Sequence, residues 1–256
     1  MRIKANAKIN KYLKILGKRN DGFHELESLF IPINIYDEIN IEESKIDQCE
    51  CVGIAEEENI AFKALKKFKE KSETTKSFKI IINKNIPSFA GLGGGSSDAA
   101  FVLKGLNELC DYPLTEDEMY NIALEIGSDV PFFLYNKSAI VTGRGENVKV
   151  IEKEDIYGVL IFDGLKFSTK DIFNNYDLLK KQEDCETYND LECGVIEKEY
   201  IENVKKCLEE MGAYYASMTG SGSGVFGLFN NECEANKAYE EIKSKYQKVF
   251  VFKNIA

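Results

Sequence analysis

The chemistry of this chain is concentrated between Pro87 and Ala100, P-S-F-A-G-L-G-G-G-S-S-D-A-A, where four of its 19 glycines fall at positions 91, 93, 94 and 95. Glycine opens backbone conformations closed to other residues and lets a ligand reach bare amides. Ser96, Ser97 and Asp98 follow with two hydroxyls and an N-cap, at a point where unpaired N–H groups and a helix dipole favour an anion. The run Pro87, Ser88, Phe89, Ala90, Gly91, Leu92, Gly93, Gly94, Gly95, Ser96 and Ser97 is therefore a candidate phosphate cradle. An ordinary strand-to-helix turn needs only one or two glycines. The Walker A string G-x-x-x-x-G-K-[ST] is absent, because the Gly17-Lys18 pair is followed by Arg19. Gly222, Gly224 and Gly227 have dinucleotide-fingerprint spacing, but Gly227 falls inside the strand-like run 225–229, where no helix opens.

Two other stretches carry reactive groups. In G-S-D-V-P-F-F-L-Y (127–135), Gly127 ends a helix and Pro131 is expected to block a new one, which leaves Asp129 on a loop among apolar side chains. A carboxylate there needs a partner or a role, unless it caps its own turn. The second glycine loop, T-G-S-G-S-G (219–224), has more glycine than a hairpin requires, so a close approach to a ligand or to the first loop is expected.

These stretches must be held by regular elements. The first forty-odd residues alternate in β fashion at Ile3, Ala5 and Ala7, at 12–16, at 29–35 and at 38–41, with a turn in G-K-R-N-D-G-F-H-E-L. Spacing at Ile60, Ala64, Leu65 and Phe68 predicts a helix. The glycine run lies between a strand at 78–83 and a helix at 99–109, and Thr115 with Glu118 opens a further helix in a capping box. Strands at 139–142 and 148–151 enclose the turn G-R-G-E. Past a charged patch at 153–155 the predicted order is strand 157–162, helix 169–179, an acidic insertion at 181–199, helix 200–211, strands 215–218 and 225–229, helix 232–245 and strand 248–252. That order suits a small sheet with helices on one face, as in ferredoxin-like α+β domains. Two domains are expected, 1–154 with the glycine-rich cradle and 155–256 with the second glycine loop.

The 256 residues include 33 Lys and Arg against 43 Asp and Glu, a net charge of −10, with the basic residues scattered. Nucleic acid is not an expected partner. An acidic protein that binds a triphosphate must concentrate positive potential locally. Met1 to Asn10 has no following apolar segment and no run approaches a membrane span, so a cytoplasmic protein without a membrane partner is expected, as a monomer or homodimer. Seven cysteines, at 49, 51, 110, 185, 193, 207 and 233, contain no C-x-x-C pair and read as reduced thiols.

The glycine run resembles the P-x-x-x-G-L-G-[GS]-[GS]-S-[SA] motif of the superfamily of galactokinase, homoserine kinase, mevalonate kinase and phosphomevalonate kinase (GHMP kinases), which cradles ATP. Three further strings, together with G-R-G-E at 143–146, resemble in order motifs of the 4-diphosphocytidyl-2-C-methyl-D-erythritol kinase family: A-K-I-N-K-Y-L-K-I-L-G-K-R-N-D-G-F-H from Ala7, G-S-D-V-P-F-F-L from Gly127, and T-G-S-G-S-G-V-F-G-L-F from Thr219. The D-G-F-H segment separates this family from its relatives.

The resemblance implies an α+β fold with an N-terminal ribosomal-protein-S5-domain-2-like domain and a C-terminal ferredoxin-like domain. It implies transfer of phosphate from ATP, with Mg²⁺, to the 2-hydroxyl of the methylerythritol moiety in the non-mevalonate isoprenoid route. On matching positions, Asp129 and Lys8 would be the catalytic pair, Ser97 the hydroxyl that meets Mg²⁺, and Asn10 a substrate contact. Phe23 and His24 would form the cytidine pocket, His24 by hydrogen bonding and Phe23, where many members have Tyr, by stacking. Thr169 and Phe173 would be its other wall, although a helix cap and a core aromatic describe them equally well, and Gly222 would also touch substrate. Other readings are another small-alcohol kinase of the superfamily, opposed by D-G-F-H, and a non-catalytic nucleotide-binding relative, opposed by the presence of both Lys8 and Asp129.

Overall fold

The computed structural model describes residues 1–179 and 187–255. Two long antiparallel strands open the chain, β1 (Arg2–Lys18) and β2 (His24–Ser44), joined by a turn at 19–23. After β3 (Gln48–Cys51), α1 (Ile60–Ser72) and β4 (Ser77–Asn83) come three helices, α2 (Gly94–Leu109), α3 (Glu116–Ile126) and α4 (Val130–Tyr135), then β5 (Ala139–Gly143) and β6 (Asn147–Val150). These strands form one sheet in the order β3-β4-β2-β5-β6, with β1 lying along β2. The remainder is β7 (Tyr157–Phe162), α5 (Thr169–Leu179), α6 (Lys198–Glu210), β8 (Tyr215–Met218), β9 (Val225–Phe229), α7 (Glu232–Ile242) and β10 (Lys248–Lys253). Its antiparallel sheet, β10-β7-β9-β8, has the ferredoxin-like order expected from the sequence.

Among the described residues three apolar cores hold the molecule, and β1 contributes to each. Ala5 joins Leu65, Phe68, Phe78 and Phe132 between the first sheet and helices α1 to α4. Leu13 and Ile15 join Val159, Leu208, Phe229 and Ile242 beneath the second sheet. Ala7 and Ile9 join Ile31, Ile33, Leu160, Phe226 and Phe252 in the seam between the sheets. The pairing of β1 with β2 slips between Asn6 and Ala7 and again between Asn10 and Tyr12. Such bulges re-aim side chains. The four residues between them, Ala7 to Asn10, are all buried, the apolar pair in the seam and Lys8 and Asn10 on the opposite side.

Several local expectations changed. The two strands expected at 29–35 and 38–41 are one continuous β2, which starts already at His24. Helix α2 begins at Gly94 rather than Ala99, and its N-cap is Gly93 at φ +68 with no side-chain cap, so Ser96, Ser97 and Asp98 belong to the first turns. Pro131 does not prevent a helix; it occupies the first turn of α4, where its missing N–H would be unpaired anyway. The capping box of Thr115 and Glu118 is present. Cys49, Cys51, Cys110, Cys207 and Cys233 are free thiols, whereas Cys193 is disulfide-bonded, contrary to the expectation of reduced cysteines throughout. Of the acidic stretch at 181–199, residues 181–186 lie outside the described residues. The rest forms a 3-10 turn, Asp190–Gly194, tied to β1 where Asp190 accepts from Lys14 Nζ at 2.9 Å and from the Ile15 N–H at 2.9 Å.

An ionic cluster invisible to motif reading braces the start of α2. Asp37, fully buried, accepts from the N–H groups of Asn85 and Ile86 at 2.6 and 2.8 Å, and Lys84 donates both to it and to Asp98, the latter at 2.7 Å. Burial raises the Asp98 carboxyl to about 7; Lys84 opposes the rise and Asp37 adds to it. An unfolded aspartate titrates near 3.8, so between that pH and about 7 the folded chain binds a proton that the unfolded chain releases. Stability from this group therefore falls as pH rises through that window. Replacing Asp98 by Asn should flatten the decline, and urea titrations of both proteins at pH 4.5 and pH 7 measure it. An unchanged difference between the two pH values would show that Asp98 does not titrate there.

Candidate active site

Lys8 leaves β1 from between the two bulges with only 3% of its surface exposed. Its Nζ donates to Asn10 Oδ1 at 2.6 Å, faces Asp129 Oδ2 at 3.6 Å and lies 4.6 Å from the centre of the Phe30 ring. Burial depresses the ammonium pKa, and Asp129 opposes the depression. Asp129 is the N-cap residue of α4 but makes no side-chain cap bond, so its carboxylate faces Lys8 instead of its own helix. Asn10 is fixed from three sides: its N–H donates to Thr219 Oγ1 at 3.0 Å, its Nδ2 to Ser28 Oγ at 2.8 Å, and its Oδ1 receives Lys8. Ser28 in turn donates to Tyr12 O at 2.5 Å.

The two glycine loops meet over this network. Phe89 O accepts from Ser223 N at 3.0 Å, Ala90 O from Gly224 N at 3.3 Å, and Gly91 O from Thr219 Oγ1 at 3.2 Å. A Cβ on Gly91 would lie 1.9 Å from Thr219 O, and Gly91 has φ +72. Only glycine permits this approach. At the helix entrance Gly93 touches the Lys8 stem, where a Cβ would sit 3.3 Å from Lys8 Cε. The first turn of α2 presents N–H groups with no intrahelical partner, which is an anion site by geometry and dipole.

A cavity of about 720 Å³ runs from Gly91, Gly93, Lys8 and Asp129 to a distal wall made by Phe23, His24 and helix α5. His24 stacks on Phe173 at 4.8 Å, and its Nε2 lies 2.7 Å from Asp177 Oδ1, whose other oxygen takes Lys18 Nζ at 2.5 Å. Burial works against the Asp177 carboxylate, but the bonds and charges of Lys18 and His24 outweigh it and lower its pKa. An ionised carboxylate only accepts, so Nε2 of His24 carries the proton. Phe23 is half-exposed and lies under the Arg144 guanidinium at 3.7 Å. Thr169 does not cap α5, since Ser168 Oγ receives Asp171 N at 3.3 Å; its hydroxyl is paired with Ser221 Oγ at 2.7 Å on the second glycine loop.

Lys8, Asp129, Asn10, Phe23, His24, Thr169, Phe173, Gly91 and Gly93 thus line one cavity. Other predicted cradle residues have different surroundings. Pro87, Ala90 and Leu92 are buried, Ser88, Phe89 and Gly95 are exposed, and Gly94 and Ser96 are half-buried. Gly222 is turned toward Met218 and Phe167, and the second loop lines the cavity through Gly220 and Ser221. Ser97 is fully buried, with its hydroxyl donating to Asn6 O at 2.6 Å. Asp177 and Lys170 carried no local motif signal, and Arg144 was visible only as part of the G-R-G-E string with no role attached, because each acquires its place only when α5 and the 143–146 turn are folded against the β1–β2 hairpin.

The chain matches the description "GHMP kinases N terminal domain" over residues 59–137 and "GHMP kinases C terminal" over residues 177–248. It is 38% identical to the 4-diphosphocytidyl-2-C-methyl-D-erythritol kinase of Caldanaerobacter subterraneus subsp. tengcongensis, with 100% of this chain and 97% of that protein covered. The protein of that name from Clostridioides difficile is 34% identical over 98% of this chain and 94% of its own length. A solved structure titled 4-(cytidine 5'-diphospho)-2C-methyl-D-erythritol kinase superposes with a TM-score of 0.88 at 28% identity, covering 100% of each chain. The mevalonate kinase of Methanococcus jannaschii shares the fold, with a TM-score of 0.70 at 16% identity over 100% of this chain and 98% of its own.

Two glycine loops joined over the buried Lys8 and its partner Asp129, on this α+β architecture, define a GHMP kinase. Within that superfamily the chain belongs to the 4-diphosphocytidyl-2-C-methyl-D-erythritol kinase family.

The loop contact is testable by itself. Gly91→Ala should destabilise the chain by about 2 kcal/mol or more and weaken ATP binding, because neither the positive φ nor the Thr219 carbonyl can yield cheaply. Gly17→Ala, with nothing within 4 Å and no positive φ, is the matched control. Equal melting temperatures for the two variants would refute the contact.

Proposed function

We propose that the protein transfers the terminal phosphoryl group of ATP to the 2-hydroxyl of 4-diphosphocytidyl-2-C-methyl-D-erythritol, giving the 2-phosphate and ADP in the non-mevalonate route to isoprenoid precursors. The observation that carries this reading is the Lys8–Asp129 pair at 3.6 Å, set between a helix-N-terminal cradle and a cavity whose far wall is aromatic. Phosphoryl transfer asks a protein mainly for positioning and charge.

The residue roles follow from what each side chain can do. Asp129 accepts or orients the proton of the attacking hydroxyl, which requires hydrogen-bond reach, and its carboxylate faces the Lys8 ammonium at 3.6 Å. Lys8 also offsets charge on the transferring group, and burial strengthens that attraction. Asn10 holds Lys8 in place, and with Oδ1 and Nδ2 both engaged it acts through Lys8. The Pro87 to Ser97 segment supplies the cradle through backbone amides. Phe23, His24, Thr169 and Phe173 enclose the cytosine, and Asp177 keeps His24 in one tautomer. The stretch before residue 154 carries the ATP cradle and the stretch after it closes the substrate site.

Mg²⁺ enters this scheme with the nucleotide. Ser97 does not fit as its ligand, since the hydroxyl is enclosed and donates to Asn6 O. Among the described residues no group of three or more His, Cys, Asp and Glu side chains could hold a metal ion. Mg²⁺ commonly keeps several waters and binds through substrate phosphates. None of the described helices is long and apolar enough to cross a membrane, and the proposed setting is the cytoplasm.

The deciding assay is ADP release with ATP, Mg²⁺ and four alcohols: diphosphocytidyl-methylerythritol, methylerythritol phosphate, mevalonate and homoserine. Turnover confined to the first is expected. Turnover with another would keep the chemistry and discard the substrate. Asp129→Asn should retain binding of both substrates yet lose roughly 10² to 10⁴ in kcat, the range of positioned proton-transfer groups; near-normal turnover would remove Asp129 from the mechanism. His24→Ala should raise KM for the cytidylyl substrate by about tenfold and leave KM for ATP unchanged, as one lost charge-assisted contact predicts. Equal effects on both constants would place His24 outside the base pocket.

A further inference from the structure

Four cations and two carboxylates line the cavity, in a chain whose net charge is −10. Lys8 faces Asp129, and Lys18 holds Asp177. The other two cations, Arg144 and Lys170, have no ion pair among the described residues. The carboxylate nearest to Arg144 in sequence is engaged elsewhere, because Glu146 receives the Arg144 backbone N–H and Arg19 Nη1. Asp21 feels the charge of Arg144, but its oxygens are taken by Arg19 and by the Phe23 N–H.

Arg144 is nonetheless held in place. Its turn is fixed on one side by Tyr120, whose hydroxyl donates to Glu146 O. On the other side Gly145 packs on Ser128, next to Asp129, so closely that a Cβ would lie 2.4 Å from Ser128 O. The guanidinium lies over the Phe23 ring at 3.7 Å. A guanidinium held by its face keeps its N–H edge free, and that edge matches two oxygens of a phosphate.

We propose that Arg144 is a diphosphate-binding residue: its N–H edge grips the phosphate oxygens of the cytidyl diphosphate while its face, stacked on Phe23, sets where that group lies between the base pocket and Asp129. Lys170, on α5, adds a second uncompensated positive charge to the same cavity. The assignment rests on the reading of the cavity as a cytidyl-diphosphate site, which it deepens by naming the group that recognises the charged linker. It also bears on selectivity. An alcohol without a diphosphate would leave Arg144 without its counter-charge and lose that contact.

The test separates linker from base by titrating cytidine and cytidine diphosphate into the wild type, Arg144→Gln and Arg144→Lys. The wild type should prefer the diphosphate. Arg144→Gln should cut that preference about tenfold, with cytidine affinity nearly unchanged, and should raise KM for the full substrate by a similar factor with kcat and KM for ATP unaltered. Arg144→Lys should recover part of the loss, since it keeps the charge without the planar fork. A preference that survives Arg144→Gln, or an equal loss for cytidine and its diphosphate, overturns the proposal; the second result would mean that Arg144 only props Phe23. A wild type that binds neither probe removes the cytidyl reading itself, and this proposal with it.

Discussion

The structure is organised by the burial of one lysine. Taking an ammonium out of water costs several kcal/mol unless charge and hydrogen bonds replace the solvent, and Lys8 is only 3% exposed. Its replacements come from four places in the chain: Asn10 two residues on, Phe30 on β2, Asp129 before α4 and, through Asn10, Thr219 on the second glycine loop. Satisfying Lys8 therefore requires the first sheet, helix α4 and the second sheet to be in register together. The bulges on either side of Ala7 to Asn10 are the local device that lets one strand feed the seam between the sheets and the polar network at once.

The glycine loops follow from the same demand. Thr219 can reach Asn10 only if its loop sits against residues 89–91, and the backbones then pass too close for any side chain on Gly91. That approach was legible in the sequence as surplus glycine in both loops. The start of α2 was less legible. Ser96, Ser97 and Asp98 are strong capping residues by propensity, but the left-handed Gly93 ends the turn first and Asp98 is drawn into the buried cluster with Lys84 and Asp37. Local preference yielded to a tertiary ion pair. Pro131 was misjudged for a related reason, since proline stops a helix from within yet suits its first turn.

Side chains whose meaning is only spatial could not be read from spacing. Asp177 lies on a helix 153 residues from His24, and nothing around either residue announces the pair. Arg144 sits in a turn whose G-R-G-E string gives it no partner, and its place is set by Phe23, which the chain reaches through a different hairpin. The motifs thus pointed to Lys8, Asp129 and the glycine loops, whereas Asp177 and the placement of Arg144 were supplied by folding. Such second partners are held by loops and helix faces more than by the sheet.

This division explains how one fold serves different alcohols. The mevalonate kinase structure shares the architecture at 16% identity, so what is common to both is the frame of two sheets with its helices. In this chain the cradle and Lys8 are built on the seam and on α2, which are buried and intolerant of change. The distal wall is built from the 19–23 turn, the first turns of α5 and the 143–146 turn, which carry half-exposed or exposed side chains. Substitution there costs little stability. A substrate pocket can therefore be rebuilt at the rim without disturbing the chemistry at the seam. For the same reason a purely nucleotide-binding relative would be expected to lose Lys8 and its Asp129 partner, since replacing a buried charge such as Lys8 with an apolar side chain is often neutral or stabilising. The pair is intact, with Asp129 opposing the fall in the Lys8 pKa that burial causes, and a cation held at the reacting centre serves phosphoryl transfer where nucleotide binding alone has no use for it.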